Sequence, residues 1–305
     1  MVVVDEARAR TQMAASGPPG RLLLAWLSGF FLFGAFATPA LAEAERLISV
    51  GGSVTEIVYA LGAGDRLVAV DSTSSYPPAA DDLPDVGYMR RLSAEPILAL
   101  QPELLLLVED AGPQATIDQL RAAGVRIVTL PDEPSLAGVR KKIGQVAAAL
   151  ELPEAGEALV QRIEAAQRDV AEKLMAVSSR PSVLFLLSVG NGAPLAAGRG
   201  TSAAGIIELC GGRNALDGFA GYKPLSPEAA AAAQPDVILV TARTLERLGG
   251  REALLARPEL AASPAASAGR LIAMDALLLL GFGPRTAEAM AKLGQALHPD
   301  VMEAR

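Results

Sequence analysis

The sequence predicts an α/β protein built as two related lobes with parallel-type sheets, joined by a long helical backbone. Three observations carry this. Short apolar runs alternate with helical patterns from Leu47 onward, the mark of α/β architecture. An ordered set of residues in the first half returns in the second, as expected when one structural unit is used twice. Between the copies, residues 135–177 combine high helix propensity with apolar residues at helical spacing, Leu159, Ile163, Ala166 and Val170 among them.

At the N-terminus, Arg8, Arg10 and Arg21 precede an apolar run over residues 22–37, and Ala40-Leu41-Ala42 follows. This is the pattern of a secretory signal peptide, residues 1–42, with cleavage expected before Glu43. The run is shorter than the roughly 20 residues a spanning helix needs, which makes a retained anchor the weaker reading. No cysteine follows at once to accept a lipid. The mature chain is therefore expected in the periplasm, with about 260 residues, enough for one large domain or two medium ones.

The first lobe, residues 43–134, has predicted strands at 47–50, 67–70, 104–108 and 125–129. Ser53-Val54-Thr55-Glu56 reads as a capping box opening a helix that ends near Gly62. In the linking stretch, residues 135–179, Pro153 breaks the helical pattern and starts a second helix of about 25 residues, about 37 Å long. Such a strut predicts a cleft that opens only slightly; the alternative is an ordinary helix packed inside a single domain. The second lobe, residues 180–305, has predicted strands at 183–189, 237–240 and 271–273.

The echo itself runs Gly87-Tyr88-Met89-Arg90-Arg91-Leu92-Ser93-Ala94-Glu95 in the first lobe and Gly221-Tyr222-Lys223-Pro224-Leu225-Ser226-Pro227-Glu228 in the second. Each copy continues into a helix, then Gln101-Pro102-Glu103 or Gln234-Pro235-Asp236, then an apolar strand. Each is preceded by a small-residue turn and a short helix, beginning at Gly51 or Gly198.

Composition excludes several functions. A formal charge of −7 at pH 7 disfavours nucleic acid and anionic lipid as partners. One cysteine, Cys210, and one histidine, His298, allow neither an internal disulfide nor a structural zinc site of the usual ligands. Gly51-Gly52-Ser53-Val54-Thr55 lacks the second glycine of a nucleophile elbow. An exported hydrolase using Ser53 or Cys210 is the rival from another class, but no base is visibly placed for either. Cys210 reads better as a small core residue, and the turn at residues 198–203 as a glycine-rich loop with Thr201 capping the next helix, not a dinucleotide site.

Tyr88 stands apart, in a glycine-preceded loop after Tyr76-Pro77-Pro78 and flanked by Arg90 and Arg91. A phenolate can ligate ferric haem iron, and a neighbouring guanidinium favours the ionised form of a phenol. If the segment is extended, Tyr88 and Arg90 point the same way. The other reading is an ordinary loop tyrosine.

The chain resembles the periplasmic haem-binding proteins of bacterial haem ABC importers, in the helical-backbone class that also holds cobalamin and ferric-siderophore binders. The resemblance covers residues 46–297. It is carried by Val86-Gly87-Tyr88-Met89-Arg90 with Leu92-Ser93-Ala94-Glu95, by Gly211-Gly212-Arg213-Asn214, by Gly221-Tyr222-Lys223-Pro224-Leu225-Ser226, and by Leu280-Gly281-Phe282-Gly283-Pro284-Arg285. It implies a non-enzymatic carrier for iron acquisition that takes haem as transported ligand, with Tyr88 the axial iron ligand and Arg90 hydrogen-bonded to it. It also implies that Glu95 and Glu228 dock on arginines of the permease in the permease–ATPase complex, although each also suits the helix N-terminus it occupies. Some relatives add a histidine from the second lobe; with His298 near the C-terminus, five-coordinate iron or a weak sixth ligand such as water is expected here. Tyr222 is expected to line the opposite wall and stack on the porphyrin, or to be a structural tyrosine at a lobe hinge. Lys223, Arg243 and Arg199, placed in loops of the second lobe, are the candidates to bind the haem propionates. The chain is expected to act as a monomer.

Overall fold

The computed structural model describes residues 46–188 and 193–302; the signal-peptide reading of residues 1–42 lies outside them. The first lobe runs β1 (Leu47–Val50), α1 (Gly52–Ala60), β2 (Leu67–Val70), α2 (Ala94–Ala99), β3 (Leu104–Val108), α3 (Gln114–Ala122) and β4 (Arg126–Leu130). Its sheet has the order β2-β1-β3-β4, parallel throughout. Every residue of β1 and β3 is buried, because helices cover both faces of a parallel sheet and leave no wet side for polar alternation.

Two helices follow, α4 (Leu136–Ala149) and α5 (Pro153–Leu174). Ser135 caps α4 by accepting a hydrogen bond from the Gly138 amide, and Pro153 occupies the first turn of α5, where its missing N–H costs nothing. At 22 residues, α5 is about 33 Å long, three residues shorter at its C-terminal end than the pattern predicts.

The second lobe comprises β5 (Ser182–Ser188), β6 (Leu195–Ala197), α6 (Ser202–Leu209), β7 (Arg213–Asn214), β8 (Tyr222–Pro224), α7 (Pro227–Ala233), β9 (Val237–Thr241), α8 (Ala242–Arg247), α9 (Arg251–Leu255), α10 (Pro264–Ser267), β10 (Leu271–Met274), α11 (Ala276–Leu280), α12 (Thr286–Leu297) and α13 (Pro299–Met302). Strands β10, β9, β5 and β7 pair in parallel, whereas β6 is antiparallel to both β5 and β8. The second sheet is therefore mixed, not purely parallel. Its antiparallel part consists of three-residue strands, too short to leave a periodic trace in sequence. Helix α5 packs on α4 along one side and on α12 and α13 along the other, so it touches both halves of the molecule.

The echo is repeated in the backbone. Gly87 and Gly221 both hold positive φ, 98° and 74°, and Gln101 and Gln234 both adopt the left-handed conformation before their prolines. Gly87 accepts from the Ser72 amide, and Gly221 from that of Gly198. Glutamine is an unusual occupant of this helix-ending conformation, which favours glycine or asparagine; its recurrence at matched positions argues that one unit was used twice.

The lobes meet through small residues and a polar seam. A Cβ on Gly52 would come within 2.6 Å of Leu277, and one on Gly205 within 2.6 Å of the Pro134 carbonyl oxygen, so backbone approaches where any side chain would hold the lobes apart. Lys142 of α4 is completely buried, and its ammonium faces Asp132 Oδ1 at 2.8 Å, Ser53 Oγ at 3.1 Å and the Gly281 carbonyl at 3.5 Å. Beside it, Arg285 of the second lobe donates to Glu56 of α1 at 2.5 Å, with its guanidinium 3.7 Å from the Tyr76 ring centroid. The proposed capping box is thereby overturned. Gly51 is the cap, without a side-chain bond, and Ser53 and Glu56 lie inside the helix, turned to the seam. Burial pushes the Glu56 carboxyl above its ordinary 4.5, against the Arg285 hydrogen bond and charge that draw it down.

Replacing Arg285 by alanine leaves a buried carboxylate without its cation and should cost about 3 kcal/mol in urea unfolding, while Glu56→Gln, which keeps an acceptor, should cost less. With its pKa raised on folding, Glu56 holds its proton to higher pH in the folded than in the unfolded chain. Its contribution to stability therefore declines as pH rises from 4.5 through the folded value, and Glu56→Gln should remove that slope from the stability profile.

Candidate functional site

Tyr88 is held over the carboxyl ends of the first lobe's strands. The chain first runs beside β2, with hydrogen bonds from Val86 N to Val70 O and from Ser72 N to Gly87 O. It then crosses toward the end of β3, where Gly112 N donates to Met89 O and Leu92 N to Gly112 O. Val86, Met89 and Leu92 are buried, a three-residue spacing that suits the single 3₁₀ turn at Met89–Arg91. These three anchors leave Tyr88 half-buried and Arg90 exposed, at the edge where open α/β sheets bind ligands.

Arg90 Nη1 donates to the Tyr88 hydroxyl at 2.8 Å, and Arg90 Nη2 to Asp110 Oδ2, also at 2.8 Å. The expected adjacency of Tyr88 and Arg90 is present, but by a different route. The segment is a turn, closed by Arg91 N to Tyr88 O, and the long arginine side chain folds back onto the phenol. Arg91 adds a second guanidinium, 5.8 Å from the Tyr88 ring centroid and within cation–π range.

Tyr222, the echo of Tyr88, lies in β8 in a different setting. Burial raises its phenol pKa above the ordinary 10.0, opposed by hydrogen bonding to the Ala203 backbone and the Thr201 side chain and by the Arg90 charge. Thr201 caps α6 through the Ala204 amide, as the sequence suggests.

The basic candidates separate. Lys223 is next to Tyr222 on a strand, where alternate side chains take opposite faces, and its ammonium sits 5.4 Å from the Phe219 ring centroid. Arg199 is exposed, in the turn whose backbone pairs with Phe219 and Gly221, and so belongs to the Tyr222 neighbourhood. Arg243 is exposed too, but on the first turn of helix α8 and not in a loop. Glu95 and Glu228 are exposed in the first turns of the matched helices α2 and α7. Glu228 is held below its ordinary value by its own backbone amide and by Ser226.

Sequence reasoning missed Asp110, Asp132, Lys142 and the Glu56–Arg285–Tyr76 group. Only Asp110 carried a signal, as an acidic residue just past a buried strand; Lys142 sits in an Arg140-Lys141-Lys142 run that reads as a solvated face. Ser53 and Lys142 form a serine–lysine contact of 3.1 Å, yet Ser53 is buried under Gly283 and the lysine is already paired with Asp132, so no substrate reaches them.

Residues 47–278 match the periplasmic binding protein family. Periplasmic heme-binding protein RhuT from Roseiflexus sp. RS-1, solved in apo form, superposes with a TM-score of 0.81 at 44% identity, over 85% of this chain and 100% of that one. BhuT, solved with two hemes, gives 0.80 at 42% identity over 85% and 99%. A periplasmic heme-binding protein from Pseudomonas aeruginosa gives 0.78 at 38% over 84% and 93%. Among curated sequences, the vitamin B12-binding protein of Pectobacterium atrosepticum is 32% identical over 222 residues, 71% of this chain and 77% of that protein.

The lone cysteine takes no part in the cleft. Cys210 is fully buried, near the Met290 carbonyl at 3.6 Å, and burial pushes its thiol up to about 12. His298 is also buried, with Nε2 3.1 Å from the Cys210 carbonyl oxygen, and is used there. A thiolate being the reactive form, Cys210 should resist a disulfide reagent at pH 8 for hours in the native protein and react at once in denaturant.

Proposed function

Because the chain belongs to the periplasmic binding protein family, we propose that it is an exported carrier that takes up haem between its lobes and hands it to an ABC importer for iron acquisition. The observation that carries this reading is the Tyr88 hydroxyl presented in the cleft with Arg90 Nη1 at 2.8 Å. Tyr88 ligates ferric iron as the phenolate, and Arg90 supplies a fixed donor and a positive charge to that oxygen. With the single histidine committed to the Cys210 carbonyl, the iron is five-coordinate or takes water. Tyr222, engaged by hydrogen bonds and with its phenol pKa raised, serves as a neutral wall for the porphyrin. Arg199 and Arg243 are the propionate partners in this reading, and Lys223, turned onto Phe219, supports the Tyr222 strand.

Residues 1–42 act as the export signal, leaving the mature chain in the periplasm as a monomer. Among the described residues no helix is long and apolar enough to cross a membrane. Glu95 and Glu228, one per lobe and both exposed, meet arginines of the permease; a pair related by an internal repeat suits a two-fold partner.

An absorbance titration of residues 43–305 with hemin, run beside Tyr88→Ala, tests the ligand. Saturable binding with a tyrosinate-type ferric spectrum is expected for the parent and loss of that spectrum for the variant. No saturable binding by the parent would move the ligand to a corrinoid or ferric siderophore, and identical spectra would move the iron to another residue. Charge reversal at both Glu95 and Glu228 should abolish stimulation of the transporter ATPase while haem binding stays intact; unchanged stimulation would end the docking assignment.

A further inference from the structure

The Arg90 guanidinium is shared. One of its terminal nitrogens faces the Tyr88 hydroxyl and the other Asp110, each at 2.8 Å. Both acceptors lie on loops at the carboxyl end of the same sheet: Asp110 follows β3, and the Tyr88 turn is tied to that same loop through Gly112, which bonds to both Met89 and Leu92. The backbone thus fixes the distance between phenol and carboxylate, and the guanidinium spans it. We infer that Asp110 is a positioning residue for the cleft, setting Arg90 so that its donor is aimed at the Tyr88 oxygen before ligand arrives. This rests on the haem reading of Tyr88 and extends it to a residue that makes no contact with iron.

The physical need for such a residue follows from arginine itself. Its side chain is long, with many rotamers, and Arg90 is about half exposed, its side chain retaining 51% of its accessible area. A single hydrogen bond to a phenol leaves the planar group free to swing into water. A second bond, from the other arm of the rigid fork, fixes the plane and hence the direction of the first. Exposed as it is, the Arg90–Asp110 pair adds little to folding stability; its effect lies in orientation. Arg91, over the ring face, has no such partner among the hydrogen bonds described and does not replace Arg90 at the oxygen.

Position and charge act oppositely here, which makes the inference testable. If Asp110 acts by placing Arg90, Asp110→Ala weakens haem binding, while Asp110→Asn, whose amide oxygen still accepts from Nη2, restores it. If its negative charge mainly competes with the phenolate for Arg90, both variants bind more tightly than the parent. Hemin titrations of the parent, Asp110→Ala, Asp110→Asn, Arg90→Ala and the Asp110→Ala/Arg90→Ala double variant decide it. The expected result is an affinity loss of about tenfold for Asp110→Ala with a weakened tyrosinate charge-transfer band, the size of one charge-assisted hydrogen bond. Asp110→Asn should return to within about twofold of the parent, and Asp110→Ala should add nothing once Arg90 is absent, because residues acting through one group are not additive. Parent-like affinity and spectrum in Asp110→Ala, tighter binding in both single variants at Asp110, or a full further loss in the double variant would each overturn the inference. A readout without haem separates it from the ligand reading: the ¹⁵N guanidinium resonances of Arg90 in the ligand-free protein should show restricted rotation in the parent and in Asp110→Asn but not in Asp110→Ala. Equal mobility in all three would sink the positioning role even if haem binds as proposed.

Discussion

A lysine ammonium with no exposure to water is the constraint from which the rest of this architecture follows. Lys142 is carried by the first connecting helix, and its three donors meet Asp132 from the end of β4, Ser53 from α1, and the Gly281 carbonyl from the second lobe. Removing a charge from water costs several kcal/mol, recovered only when every donor is met in good geometry. Lys142 reaches the second lobe through the Gly281 carbonyl, and the adjacent Glu56–Arg285 pair crosses the same seam. Small contacts between lobes ordinarily leave them free to move. Here close glycine approaches and the buried Glu56–Arg285 pair join them, and α5 contacts both.

How much of this was legible in the sequence divides along the same line. Buried parallel strands announce themselves as continuous apolar runs, so β1, β2, β3 and β9 stand where the pattern puts them, within a residue. The repeat was legible because it preserved residue types needed for backbone reasons: a left-handed glycine before each tyrosine and a left-handed glutamine before each proline. The seam was not. Ser53 and Glu56 have the spacing of a capping box, and nothing local reveals that a lysine 89 residues away and an arginine 229 residues away claim them instead. The antiparallel strands β6 and β8 were missed for want of length. The expected contact between Tyr88 and Arg90 is present, although the expected extended geometry gave way to a turn, because a long side chain can reach the same oxygen from either backbone.

The two tyrosines of the repeat show how a duplicated backbone supports an unequal cleft. Each follows a positive-φ glycine whose carbonyl ties a neighbouring segment, after which Tyr88 leads into a 3₁₀ turn and Tyr222 opens a strand. Their surroundings then diverge. Tyr88 is half open, with guanidinium groups at its oxygen and over its ring. Tyr222 is half-buried as well, and burial pushes its phenol above the ordinary 10.0, opposed by the Ala203 backbone and the Thr201 side chain. In the proposed reading the first is the metal ligand, and the second offers a face.

That asymmetry suits a carrier better than two equal ligands would. A cargo held by one strong bond from one lobe and by weaker contact from the other can leave when a small displacement disturbs the single strong bond, whereas two strong anchors would both have to break. The stiffness of the seam bears on the same point. A wide swing of the lobes would strip Arg285 of Glu56, and in the proposed docking Glu95 and Glu228 supply one point of force on each lobe. The helix that carries Glu95 begins four residues after Arg90, just past the turn anchored by Met89 and Leu92. In the proposed reading, a pull on α2 would reach the turn that carries Tyr88 and Arg90 through buried Met89 and Leu92, which share Gly112 as backbone partner.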